Sequence, residues 1–396
     1  MDAIDRLLLG LAAGDSLGAT SEFASRHSIP SIYERNRHDG WPLRQVGGGG
    51  FGWRRGQPTD DTEMALCLHR SFKTLGHFDG ADVGRRFVAW MHSGPKDIGG
   101  TTSRTLAAIA RGTPWYEGAL ADYRGNPDNA ANGSLMRNGV VPGMTTDLGE
   151  VYAISIKHGL MTHFAPLPAI CCAAQSYLIW AQLRDPGRMD GTWPTAFRDA
   201  FNGWLRETRD EQVLSWRRTV AARLPGAFET FLSADWNPHS FNPFESDFSI
   251  GQGYCLLTLQ IAVWALHWSL TADPFPVPDG FPAEVFQQRG PNVLGWVAMV
   301  GYDSDTYGAT AGPLIAAAHE ALPQGLTDGL WVSRELAGQP LTPDCAPYSN
   351  EAELVDVPVA GANPGDGTRK IRPMDGVQGT FDFDGRNDAM LDQAPF

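Results

Sequence analysis

The apolar residues of this chain recur at helical spacing almost everywhere, and period-2 alternation is weak throughout. Ile4, Leu7, Leu8 and Leu11 form one stripe, and Met64, Leu68, Phe72 and Leu75 form another. Alanine-rich stretches at 166–183 and 309–322 read as further helices, with Pro166 placed where a first helical turn accepts it. Tyr254 to Trp268 is apolar on most sides, as expected of a helix central in a bundle. The expected fold class is therefore all-α, in a single domain. No internal repeat of fixed period is visible.

A chain of 396 residues could make two average domains or one large one carrying insertions. Residues 1–339 read as one helical domain. Within it, 185–250 mixes charged helical stretches with Pro and Asn turns and reads as an insertion, while 272–292, rich in Pro and Gly, reads as a loop. Residues 340–396 carry turn formers without sustained periodicity and are expected to be an irregular C-terminal extension. A formal net charge of −14 disfavours nonspecific nucleic-acid binding, because a phosphate lattice is gripped by releasing counterions to cationic side chains. A small anionic ligand stays compatible if metal ions supply a local positive field. Cys67, Cys171, Cys172, Cys255 and Cys345 contain no C-x-x-C pair, so free thiols in a reducing compartment are expected. The N-terminal apolar run is preceded by acidic residues with Arg6 as the only nearby cation, and Leu256 to Leu270, broken by Gln260 and His267, is too short to span a bilayer. No membrane association and a cytoplasmic location are expected.

Two clusters of acids and threonines carry the chemistry. In QPTDDTEMALCLHRSF, Pro58 precedes a helix with Thr59, Asp60 and Asp61 at its start. Capping accounts for one such acid. Two adjacent carboxylates repel, and a hard cation that prefers oxygen ligands removes the repulsion. In VGYDSDTYGATAGPLIAAAHE, Asp303 and Asp305 sit two apart, followed by Thr306 and by Ala309, Ala311, Gly312 and Ala316, small residues that permit close helix approach. Here the plain alternative is a cap supplied by Asp305. If the two helix starts face each other, they offer five or six oxygens to a metal pair, which is a hydrolytic centre. Arg137 is expected to pair structurally with a carboxylate, Arg54 and Arg55 to be solvated, and the 13 tryptophans to serve packing.

Seven stretches in order, GLAAGDSLGATSEF (10–23), GGGGFGWRRGQPTDDTEMAL (47–66), KDIGGTTSRTL (96–106), NGSLMRNGVV (132–141), THFAP (162–166), GQGYCLLTLQIAVWAL (251–266) and GYDSDTYGATAGPL (301–314), resemble the ADP-ribosylglycohydrolases. The resemblance implies an all-α fold, a single compact orthogonal helical bundle, with two Mg2+ or Mn2+ ions. Thr59, Asp60, Asp61 and Asp305 would hold one ion, and Asp303, Asp305 and Thr306 the other. It further implies that Glu22 reaches the metals, that Asp97 acts in catalysis, that the Asn132-Gly133-Ser134 loop, with Met136 and Arg137, belongs to the segment that cradles the diphosphate and ribose, and that His163 lies near substrate. Asp61 counts with Asp97 and Glu22 in the catalytic set. Tyr302 stands where a small or amide residue is usual and could narrow the cleft, and Glu63 replaces a more typical glutamine. Phe51, just before the first acid cluster, belongs either to a flexible glycine loop or to an aromatic wall for adenine or ribose.

Cleavage at the ribose anomeric carbon passes through an oxocarbenium-like state. Metal ions can hold the sugar hydroxyls and acidify a water, and Asp97 or Glu22 could accept its proton; the residues leave that choice open. The implied substrate is an ADP-ribosylated protein, with arginine as the acceptor by analogy. The alternative is an immunity protein that occludes an ADP-ribosyltransferase toxin, contacting it through the insertion and the tail. A helical phosphohydrolase is disfavoured because the His-Asp pairing motif is missing.

Overall fold

A computed structural model describes residues 1–245 and 251–339, and within them every regular element is helical apart from two isolated bridges, Gly48 with Trp53 and Ala131 with Tyr254. The all-α expectation is met. The extension expected over 340–396, with Cys345, lies outside the described residues. The first half of the chain supplies α1 (Ala3–Gly18), α2 (Ile29–Asn36), α3 (Asp60–Leu75), α4 (Gly80–His92), α5 (Gly100–Ala110), α6 (Leu120–Gly125), α7 (Leu148–Gly159) and α8 (Pro166–Arg184). The second supplies α9 (Trp193–Glu207), α10 (Glu211–Thr219), α11 (Leu224–Ser233), α12 (Cys255–Leu270), α13 (Ala283–Phe286), α14 (Val293–Ala298), α15 (Ser304–Ala318), α16 (Gln324–Thr327) and α17 (Trp331–Leu336).

Local chemistry sets many of the helix starts. Asp2, Asp79, Asp147 and Asp210 each accept a first-turn N–H from the helix they precede, closing α1, α4, α7 and α10. Gly76 ends α3 at φ 74°, a left-handed conformation that suits glycine. The α3 stripe is narrower than expected: Met64 and Leu68 are buried, Phe72 is half-buried and Leu75 is exposed, because the last turn runs past the body into solvent. The alanine-rich helix is α15, which begins at Ser304 and stops at Ala318. The segment 272–292 is mostly irregular but includes α13 and a 3-10 turn at Gly290–Asn292.

The centre of the body is α15, packed against α1, α12, α8 and α14. Both α8 and α12 are buried on most sides, and Cys67, Cys171, Cys172 and Cys255 are buried free thiols. Helices α9 to α11 form an outer layer laid on α7 and α8. Tyr152 from α7 meets Phe201 edge to face at 5.0 Å, and Phe197 stacks on Phe201 at 5.4 Å. The Trp216 indole donates to the Phe164 carbonyl at 3.0 Å, and Lys157 pairs with Asp210 at 2.8 Å, fastening the layer to the body.

Candidate active site

Glycines bring the two ends of the chain together. Gly10, Gly14 and Gly18 recur every fourth residue of α1, so they share one face, and Ser304, Gly308 and Gly312 do the same on α15. A Cβ on Gly14 would lie 2.0 Å from the Gly308 carbonyl oxygen, and one on Gly312 would lie 1.9 Å from that of Gly10. A Cβ on Gly18 would lie 2.1 Å from the Ser304 oxygen. The pairs run in opposite order, so the helices are antiparallel and the end of α1 abuts the start of α15. The turn carrying Glu22 is thereby set beside Asp303 and Asp305.

That junction is locked by backbone. Phe23 and Tyr302 are the non-glycine residues with positive φ among those described, at 61° and 57°. The Phe23 N–H donates to the Tyr302 carbonyl at 2.6 Å, and the Tyr302 N–H donates to Ala24 at 2.9 Å. Each left-handed residue costs about 1–3 kcal/mol, a strain that surrounding structure must over-determine. Here it directs the two neighbouring carboxylates, Glu22 and Asp303, toward one centre. Ser304 Oγ adds a bond to the Gly18 carbonyl at 2.9 Å.

The start of α3 reaches the same point through Asp15. This fully buried carboxylate of α1 accepts the Thr59 N–H at 3.1 Å, the Thr62 N–H at 3.2 Å and the Thr62 hydroxyl. Thr59 itself is the N-cap, its Oγ1 taking the Asp61 N–H at 3.4 Å and donating to Asp61 Oδ2 at 3.1 Å. Capping is thus done by Asp15 and Thr59, and it consumes neither Asp60 nor Oδ1 of Asp61. At α15 the N-cap position is Asp303, not Asp305, and Asp303 makes no capping bond; its carboxylate accepts the Asn132 amide at 2.6 Å. The capping alternative assigned to Asp305 is corrected, since Asp305 lies inside the first helical turn.

The assembled acids are Glu22, Asp60, Asp61, Asp97, Asp303 and Asp305. Oxygens of Glu22, Asp97 and Asp305 fall within 4.8 Å of one another. Asp60 lies near Asp97, Asp61 and Glu22, and Asp61 lies near Asp303. Burial, then repulsion from Asp97, Asp303, Asp61 and Asp15, pushes Glu22 up to about 10. Burial first, despite the Asn132 bond, brings Asp303 to about 7, and burial with neighbouring carboxylates raises Asp60, Asp61 and Asp305 well above the usual range. Glu63, behind the cluster and donated to by the Trp90 indole at 2.7 Å, rises by burial to about 8. Glu22 Oε2, Asp61 Oδ1 and Asp305 Oδ1 are buried without a hydrogen-bond partner. Unpartnered buried carboxylate oxygens are costly unless charge compensates them. An all-oxygen donor set of this kind fits hard divalent cations.

A second wall comes from the loop at 132–134. Asn132 joins Asp303 to Thr258 Oγ1, at 2.6 and 2.9 Å. A Cβ on Gly133 would lie 2.8 Å from the His163 ring, so glycine is required for the imidazole to sit there. Ser134 lies against Cys172 and Met136 in the apolar core. Nearby, a cavity of about 440 Å³ lies between Asn129, Ala130, Pro166 and Tyr254 of the body and Arg223 and Thr230 of the outer layer. Phe51 is half-buried, 5.9 Å from Phe23 and 5.7 Å from Trp53, with the Lys96 ammonium 5.0 Å from the Trp53 ring. Its loop is fixed by the Gly48–Trp53 bridge and by Gly49, where a Cβ would lie 2.0 Å from the Ala19 oxygen. Tyr302 is buried at the strained junction. Arg137 does not pair with a carboxylate: its fully buried guanidinium donates to the Gly133 and His158 carbonyls and to Thr162 Oγ1, and lies 4.8 Å from the Phe87 ring. Arg55 pairs with Asp328 at the surface.

Asp15 and the α1 glycines escaped the sequence reading, although a G-x-x-x-G-x-x-x-G run mirrored by S-x-x-x-G-x-x-x-G was there to be matched. Structurally the chain is an all-α body with a buried polycarboxylate centre at facing helix ends. It belongs to the ADP-ribosylglycohydrolase family of hydrolases, whose sequence model matches residues 1–348. It is 30% identical over 231 residues to the ADP-ribosyl-[dinitrogen reductase] glycohydrolase of Rhodospirillum rubrum, across 57% of this chain and 70% of that protein. It is 29% identical over 257 residues to an ADP-ribosylarginine hydrolase of Serratia proteamaculans, across 61% of this chain and 64% of that one. The fold is similar to an ADP-ribosylglycohydrolase-related protein complex, with a TM-score of 0.54 and 25% identity over 85% of this chain and 95% of that one. No described helix is long and apolar enough to cross a membrane.

Proposed function

We propose that the protein is a divalent-metal-dependent hydrolase that releases ADP-ribose from modified protein side chains, with arginine the favoured acceptor. The convergence of Glu22, Asp97 and Asp305, with Asp60, Asp61 and Asp303 close by and three carboxylate oxygens unpartnered, carries this reading. Its support comes from family membership and from relatives named for ADP-ribosyl and ADP-ribosylarginine hydrolysis.

Thr59, Asp60, Asp61, Asp303, Asp305 and Thr306 would hold a pair of Mg2+ or Mn2+ ions. When bound, such ions supply Lewis-acid charge that neutralises the cluster, orients sugar hydroxyls and acidifies water. The Asn132 amide holds Asp303 in place, and Asp15 holds the start of α3. Glu22 and Asp97 face the same centre as Asp305; Asp97 is the more accessible of the two, which favours it as the proton acceptor from the attacking water. Asn132 and Gly133 present the loop to the ligand, with Ser134 and Met136 packing it from behind and His163 alongside. Phe51 lies on the Glu22 side of the site, next to Phe23, and Tyr302 closes the junction beside Asp303. Incubating an ADP-ribosylated arginine protein with this enzyme, with and without Mg2+ and a chelator, should release ADP-ribose only with metal, as read by mass spectrometry. Retention of the modification in every sample of folded protein rejects the reading.

A further inference from the structure

Behind His163 lies a chain of buried hydrogen bonds that the hydrolytic reading does not use. The Arg137 Nη2 donates to Thr162 Oγ1 at 2.6 Å, and Thr162 Oγ1 lies 2.9 Å from His163 Nδ1. Arg137 and Thr162 are fully buried and His163 nearly so. A guanidinium only donates, so the threonine oxygen accepts from Arg137 and keeps one proton to give. Among the described residues that hydroxyl has no other acceptor, and a buried donor left unmade is costly. The proton therefore points at Nδ1, which must be the unprotonated nitrogen. The imidazole proton then sits on Nε2, and Nε2 is the nitrogen facing the Gly133 position, 3.3 Å from where a Cβ would stand. Burial first, and the Arg137 charge second, depress the ring to about 3, so the neutral form is the relevant one.

We propose that Arg137 and Thr162 form a hydrogen-bond relay that locks His163 in its Nε2–H tautomer and presents a fixed donor to an oxygen of the ligand lying against the Gly133 loop. Arg137 and Thr162 are positioning residues; His163 makes the contact. The same Arg137 holds the Gly133 carbonyl at 2.5 Å, so one side chain sets both the loop and the ring beside it. Locked this way, His163 donates but accepts no proton from water, which leaves that task to a carboxylate. The ligand half of the proposal rests on the reading that ADP-ribose occupies this cleft; the tautomer half does not.

The test is a long-range proton–nitrogen correlation of the histidine rings in the intact, 15N-labelled protein at neutral pH, with His163→Gln identifying the resonance. The wild type and Thr162→Ser should show Nε2 protonated and Nδ1 bare. Thr162→Val, of similar volume and unable to donate, should give a mixture or the opposite tautomer. Adding ADP-ribose with Mg2+ should shift the Nε2 proton, and Thr162→Val should weaken ADP-ribose binding about tenfold, the usual scale for one lost hydrogen bond, while Thr162→Ser stays near wild type. A wild-type ring protonated on Nδ1, or an Nε2–H tautomer unchanged in Thr162→Val, overturns the relay. A correct tautomer with an Nε2 proton indifferent to bound ADP-ribose overturns the ligand contact. Failure of the wild type to bind ADP-ribose at all would instead count against the functional reading, with the tautomer result standing apart from it.

Discussion

The acid centre and the α9–α11 layer are held by opposite means. At the acid centre, helices α1 and α15 touch backbone to backbone through glycines, and the side chains between them and α3 are charged or hydroxylated. In the outer layer, helices are kept apart by large rings: Phe197, Phe201, Phe231 and Trp204 fill the space over Tyr152. Apolar packing lowers the free energy of the fold wherever it occurs. A buried cluster of like charges raises it, and is sustained by the rest of the molecule for the chemistry it permits. The contrast predicts that mutations in one region move activity and in the other move stability.

The largest expected effect is on turnover. Asp97→Asn should lower kcat by about 10²–10⁴-fold, the usual worth of a positioned acid or base, without lowering the melting temperature measured in chelator. A melting temperature that drops in step with activity would show that Asp97 holds structure instead. Next comes Phe201→Ala, which should cost about 3–5 kcal/mol of stability in denaturant titration while the folded fraction keeps its activity. Loss of activity per folded molecule would mean the outer layer shapes the cleft more directly than its packing shows. Gly14→Ala probes the contact that joins the two clusters: overpacking against Gly308 should cost about 1–3 kcal/mol and should also weaken Mn2+ binding measured by calorimetry. Unchanged metal affinity would break the link between the glycine contact and the site.

The smallest effect is a pH dependence. Burial and repulsion raise Glu22 to about 10 and Asp303 to about 7, so the folded apoprotein binds protons that the unfolded chain has released. Stability then falls as pH rises from the ordinary carboxylate range, near 4, toward those values. In chelator the melting temperature should fall between about pH 5 and about pH 8, and Mg2+ should flatten that slope. A slope of opposite sign would mean the acids are not mutually repulsive in solution.

Much of the fold was legible because helical periodicity is a local signal. The stripe at Ile4, Leu7, Leu8 and Leu11 and the apolar helix α12 could be read from spacing alone, since a period of 3.6 residues needs no knowledge of the partner. The acid clusters were equally visible, because two adjacent carboxylates at a helix start are hard to explain by capping. Their ends were less so: Leu75 belongs to the apolar pattern yet is exposed, and α15 stops at Ala318 short of the alanine-rich stretch. Whether a last turn is covered depends on what else reaches it.

The sequence by itself determined the helical class, the order of the elements and the chemical types gathered at 59–61 and 303–306. Tertiary structure alone decided who satisfies whom. Asp15, from a helix forty-four residues before Thr59, takes over the capping of α3 and releases Asp60 and Asp61. Arg137 turns to carbonyls and Thr162 in place of a carboxylate. Phe23 and Tyr302 accept left-handed backbone so that Glu22 and Asp303 can meet. The physical reason is range: periodicity and propensity act within a few residues, whereas a buried hydrogen bond is made with whichever group the packed chain delivers within about 3 Å.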